Sequence, residues 1–185
     1  MKDISSLPAA LVLPALLLAP RIDAIFSATM PRKALGETLL LLLCGSAASW
    51  FWRGRRTVSH APAGTVAATL LLLFWMIPRS VDLTQIYSGA NALYVISLFS
   101  AGFLLSRYFP LLSGVARAAY AIYASSMITA VGLLYASQST LLCSAYTLED
   151  QHAFGWMLVS LGLIAYLFVL ALMTSWLVPA SRRQR

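Results

Sequence analysis

Few side chains in this sequence could do chemistry. Soft metal ions such as Cu(I) favour Cys, Met and His, and that set is spread over His152, Met30, Met76, Cys143 and Met157. No Met-x-x-Met or His-x-x-x-His spacing gathers them, and a methionine in an apolar helix more often fills space than binds metal. A bis-His haem needs two imidazoles that face each other. His60 and His152 are expected at opposite faces, so haem is not expected. The cysteines, Cys44 and Cys143, form no Cys-x-x-Cys pair and are expected as free thiols. There is no Gly-x-Ser-x-Gly motif, and neither His has an evident Ser or Cys partner. No enzyme activity is expected.

A second group is ionic. Ionisable residues beside long apolar runs are costly, and each needs a reason. Arg21, Asp23, Arg79, Asp82, Tyr146, Asp150 and Gln151 are expected at one boundary, with His152 beside them. They form either an outward-facing polar site, for a metal or for docking a partner, or a set of Arg–Asp pairs that pins loops. Glu37 lies four residues after Lys33, and an interfacial i,i+4 pair explains it. Pro20-Arg21-Ile22-Asp23 echoes Pro78-Arg79-Ser80-Val81-Asp82. Without a longer repeat, the echo reads as chance.

The elements that position these residues follow from composition. Of 185 residues, 60% are hydrophobic and 10% charged, against about 25% charged in a typical soluble domain. Lipid is the natural solvent for such a chain. A spanning helix needs about 20 mainly apolar residues. Six spans are predicted, near Ser6–Phe26, Ala34–Phe51, Ala63–Pro78, Ala90–Tyr108, Leu112–Ala136 and Phe154–Val178. The reading is a single all-α polytopic transmembrane domain of about six helices. The apolar stretch after Lys2 resembles a signal peptide but is read as the first span, with Pro8, Pro14 and Pro20 kinking it.

The net charge is +7. The basic residues cluster between apolar runs instead of forming a stripe, so nucleic acid is not an expected partner. With the N-terminus cytoplasmic, Lys2, Arg53, Arg55, Arg56, Arg107, Arg182, Arg183 and Arg185 lie inside. Arg21, Arg32, Lys33 and Arg79 lie outside, and this asymmetry sets both termini in the cytoplasm. Trp50, Trp52 and Trp176 are expected at the inner boundary, and Trp75 and Trp156 at the outer one. Gly114, Ala118, Ala121, Ser125 and their small neighbours mark the fifth span for close packing, within the bundle or against a partner.

The stretch YASQSTLLCSAYTLEDQHAFGW, from Tyr135 to Trp156, resembles the C-terminal part of the CtaG-like family of haem-copper cytochrome c oxidase assembly factors. The matching positions are Tyr146, the pair Asp150-Gln151 and Gly155; Trp156-Met157 stands where the family commonly has Met-Trp. The resemblance covers about the last 75 residues. It implies a bacterial-type inner-membrane protein that assists oxidase assembly or copper supply, with an oxidase subunit as partner among the lipids and copper as its metal. The chain has no His before His60. That suits a second reading, an accessory subunit of a membrane redox complex without a copper site. A small transporter is a third.

Overall fold

The computed structural model describes residues 12, 14–52 and 58–177, with side chains through Met173. The described residues are helical and contain no strand. Two short helices, α1 (Pro20–Ser27) and α4 (Pro78–Ile86), accompany five long ones: α2 (Arg32–Phe51), α3 (Ala61–Trp75), α5 (Ser88–Tyr108), α6 (Gly114–Ser137) and α7 (Leu148–Leu177). All five long helices are long and apolar enough to cross a membrane, α3 together with its lead-in from Val58. The protein is an all-α polytopic helix bundle.

The first expected span, Ser6–Phe26, lies partly outside the described residues, which leave out 6–11 and 13. Its described part is not continuous. Ala19 is extended (φ −69°, ψ 129°), and α1 starts afresh with Pro20 in its first turn. The end of α3 repeats the arrangement: Ile77 is extended (φ −73°, ψ 125°), and α4 starts at Pro78. A proline disfavours helix in the residue before it and suits the first helical position. The echo between the two Pro-Arg segments is thus one local structure used twice. Each proline begins a short helix, Pro20 where a kink within the first span was expected and Pro78 where the third span was expected to end.

Two layers build the core. In one, Leu41 of α2, Trp75 of α3 and Tyr94, Val95 and Leu98 of α5 pack together, with Leu17 against them. In the other, Tyr135 of α6 and Phe154 and Leu158 of α7 enclose Met30, Val81, Cys143 and Tyr146. Both layers depend on close backbone approach. A Cβ at Gly102 of α5 would strike the backbone of Leu42, and one at Gly155 of α7 would lie 2.8 Å from the carbonyl oxygen of Gly132 in α6. Small residues at crossings are how helices associate in lipid. Ser125, Thr129 and Gly132 of α6 lie against Gly162, Val159 and Gly155 of α7, so the small-residue face of α6 is used inside the bundle. Large apolar side chains such as Leu43, Ile164 and Leu167 point outward.

The tryptophans divide. Trp50, Trp52 and Trp156 are exposed, as a boundary belt requires. Trp75 is not part of the belt. It is buried, its indole N–H donates to Ser97 Oγ at 2.6 Å, and its ring meets Tyr94 edge-on. The side chain of Trp176 and residues Lys2, Arg53, Arg55, Arg56, Arg182, Arg183 and Arg185 lie outside the described residues.

Candidate functional site

The polar side chains gather at one end of the bundle, where α2, α5 and α7 begin and α3 and α6 end. Two knots form there. The first centres on Lys33, which the sequence reading counted as loop charge. It is fully buried in the opening turn of α2. That turn, Arg32–Glu37, is π-helical and so wider than an α-turn. The Lys33 ammonium meets three side-chain oxygens, two through hydrogen bonds and one through an ion pair. It donates to Asp23 Oδ1 at 2.7 Å and to Asn91 Oδ1 at 2.9 Å, and lies 2.8 Å from Glu37 Oε2. It also sits 5.3 Å from the centre of the Tyr94 ring. The Tyr94 hydroxyl donates to the Lys33 carbonyl oxygen at 3.0 Å and shares a 2.8 Å hydrogen bond with Thr38 Oγ1.

The i,i+4 pair of Lys33 and Glu37 forms as expected, but at full burial and not at an interface. Isolated charges in an apolar interior cost several kcal/mol each, so they persist only when paired. Asp23 is the open member of the set, with 29% of its side chain exposed and a second hydrogen bond from Asn91 Nδ2 at 3.1 Å. The Glu37–Lys33 contact is an ion pair outside hydrogen-bond geometry, and neither Glu37 oxygen has a hydrogen-bond partner among the described residues.

The second knot pins residues 138–147, the loop between α6 and α7. Asp82 of α4 accepts from the Ser144 amide (2.8 Å), the Ser144 hydroxyl (3.0 Å) and the Ala145 amide (3.2 Å). Gln151 of α7 is buried and works from both ends of its amide. Its Oε1 accepts from the Leu142 amide at 2.7 Å, and its Nε2 donates to the carbonyl oxygens of Thr140 and Tyr135 at 3.3 and 3.4 Å. His152 Nε2 bonds the Gln138 carbonyl oxygen at 2.9 Å. Thr147 and Asp150 cap α7 reciprocally. The Asp150 amide donates to Thr147 Oγ1 at 3.1 Å, and that hydroxyl donates to Asp150 Oδ2 at 3.0 Å.

The residues expected to form one polar site are therefore split. Asp23 belongs to the Lys33 knot, while Asp82, Asp150, Gln151 and His152 hold the loop. The Arg–Asp alternative does not form either. Arg21 and Arg79 are exposed, and among the described residues no ion pair joins either of them to an aspartate. Tyr146 is buried between the knots, and its hydroxyl has no hydrogen-bond partner among the described residues. Burial first, then the neighbouring Cys143, Glu37, Asp23 and Asp82, raises its pKa well above a normal phenol's.

The soft ligand candidates are only partly brought together. Met30 and Cys143 share one apolar cluster. Met76 ends α3, where its carbonyl oxygen accepts from the Tyr135 hydroxyl at 3.2 Å. Met157 is exposed. Both cysteines are free. The Cys143 thiol donates to the Pro78 carbonyl oxygen at 3.5 Å. Burial first and the Asp82 charge second push that thiol up to about 12. A neutral, buried thiol is a poor ligand and a poor nucleophile. His60 opens α3 while His152 lies in the first turns of α7, so the full length of α3 separates them.

Sequence reading named Lys33 only as an interfacial partner of Glu37, and missed Asn91, Tyr94 and Thr38. Its one signal was Glu37, a lone acid inside an apolar run four residues after a lysine. The chain matches no family model, no curated protein and no solved structure.

Gln151→Ala is expected to destabilise the protein by about 1–3 kcal/mol, because it leaves the half-buried Leu142 amide without an acceptor. Hydrogen exchange checks this. Leu142 exchange should accelerate strongly, while amides of α5 stay protected.

Proposed function

We propose that this chain acts in the assembly of a copper-containing respiratory oxidase, by docking against another membrane protein of that complex. One observation carries the reading. A ten-residue connector without secondary structure is tied to α4 and α7 by Asp82, Gln151 and His152, far more firmly than a tether needs. An ordered loop loses little entropy on binding, and preorganisation of that kind raises affinity. The loop presents Leu141, and the first turns of α7 present Glu149 and Trp156. An exposed aromatic with an apolar neighbour and a charged rim is the composition of a docking face.

The partial resemblance to oxidase assembly factors names the partner class. Three of its four matching residues have structural work here: Gln151 clamps the loop, Asp150 caps α7, and Gly155 permits the α6–α7 crossing, while the Tyr146 hydroxyl has no hydrogen-bond partner among the described residues. Copper supply by this chain's own residues receives less support, because Cys143 is a buried neutral thiol and His152 is engaged by Gln138. The accessory subunit is therefore the second reading. A transporter stands third, since a cavity of about 150 Å³ within the bundle is lined almost wholly by apolar groups such as Leu72, Met127 and Leu161. The protein is multi-pass; an inner-membrane location with cytoplasmic termini would turn the pinned loop toward the periplasm.

Purification from membranes in mild detergent, with identification of bound proteins, tests this reading. Recovery of an oxidase subunit is expected, and Leu141→Asp with Glu149→Lys should lower it about tenfold, one hot-spot contact's worth. Presence only on immature complex marks an assembly factor, and presence on mature complex marks a subunit. Recovery as a lone, stable monomer overturns both.

A further inference from the structure

The Lys33 knot holds an unbalanced charge that no loop-pinning role explains. One ammonium serves two carboxylates, Asp23 at 2.7 Å and Glu37 at 2.8 Å. The groups that face the knot are Asn91 and Tyr94 from α5, Thr38 from α2, and Tyr146 from the loop. None of these is a second cation. Arg21, Arg32 and Arg79, the nearest arginines in sequence, are exposed. With both acids ionised, the knot carries a net charge of −1. It sits among apolar side chains, and Lys33 and Glu37 have no exposed surface.

An uncompensated charge at full burial costs several kcal/mol, and a buried group neutralises instead by binding or losing a proton. Lys33 is not the neutral member, since loss of its proton would leave two carboxylates with no cation between them. Asp23 is partly open to solvent and takes two hydrogen bonds, from Lys33 and Asn91. Glu37 is enclosed, and neither of its carboxylate oxygens has a hydrogen-bond partner among the described residues.

We propose that Glu37 is a proton-binding site, holding one exchangeable proton that makes the Asp23–Lys33–Glu37 knot neutral. The reaction is uptake of a proton by the carboxylate to give a carboxylic acid, with no other bond made or broken. The acid end of Glu37 gains a donor where Oε1 now stands alone, and the Lys33–Asp23 pair keeps its charges. The proton enters and leaves at the Asp23 end, because Asp23 is the member of the knot with solvent exposure. The site thus responds to the solution on one side of the bundle only.

Infrared spectroscopy tests the site without relying on any activity. The chain has two glutamates, Glu37 and Glu149. In a Glu149→Gln background, changed only at an exposed surface position, carbon-13 glutamate reports on Glu37 alone. The expected result at neutral pH is a carboxylic-acid carbonyl band that shifts with the label. Adding Asp23→Asn should abolish that band, because Lys33 then has one carboxylate to neutralise. If the label shifts only ionised-carboxylate bands at neutral pH, the proposal is overturned. A labelled acid band that survives Asp23→Asn equally overturns it, since the proton would then owe nothing to the shared ammonium.

Discussion

Lys33→Met is expected to lower stability by about 3–5 kcal/mol, the usual cost of removing one partner from a buried ionic set. Methionine matches the lysine stem in length and flexibility, so packing changes little. The polar loss is large. Asp23 Oδ1, Asn91 Oδ1 and Glu37 each lose the ammonium they share, and no other cation is within reach of the knot among the described residues. Lys33 also joins three elements, since its partners come from α1, α2 and α5. The loss should therefore spread beyond α2, and α1 should detach first. Thermal or denaturant unfolding in detergent measures the total. Replacing all three together, Asp23→Leu, Lys33→Met and Glu37→Met, should recover part of it, because apolar replacements of a whole buried ionic set are often neutral or stabilising. A Lys33→Met protein as stable as the parent would show that the knot has no structural weight.

The second large effect is at the α6–α7 crossing. Gly155→Leu is expected to cost about 3 kcal/mol, the upper end for overpacking. A Cβ at Gly155 would lie 2.8 Å from the Gly132 carbonyl oxygen and 2.9 Å from the Ala136 Cα. Both are backbone atoms, so relief requires the two helices to move apart along their whole contact. That separation would also pull Gln151 and His152 off the loop they hold. Gly89 is the control, because a Cβ there meets nothing within 4 Å. Gly89→Ala should be neutral, or stabilising by up to about 1 kcal/mol through helix propensity. Equal destabilisation at both glycines would contradict close helix packing as the cause.

The membrane-spanning architecture was legible because lipid imposes one simple rule, a run of apolar residues long enough to cross. The α2, α5 and α6 segments begin and end within two residues of where that rule puts them. It fails where tertiary contact decides. Lys33 precedes the apolar run that starts at Ala34, so the rule assigns it to a loop. In the fold, Asp23 of α1 and Asn91 of α5 close over it. Trp75 sits near a helix end, which suggests a boundary residue, but Ser97 and Tyr94 hold it inside. The α7 helix begins at Leu148, six residues before the expected Phe154. The polar run Glu149 to His152 suggested loop, although Thr147 and Asp150 stand at capping-box spacing. Of the candidate site, the loop-side residues were visible in sequence. Their division between two knots was not, because it depends on which short helix each aspartate follows.

The central claim is that the pinned loop is a docking face, and crosslinking from that loop addresses it most directly. A photo-reactive residue placed at Leu141, half-exposed on the loop, can be compared in native membranes with one at Ile164, exposed on the span of α7. The account predicts an adduct between position 141 and an oxidase subunit, and none from position 164. An adduct from 164 alone, or no oxidase adduct from 141 while the complex is being made, would contradict it.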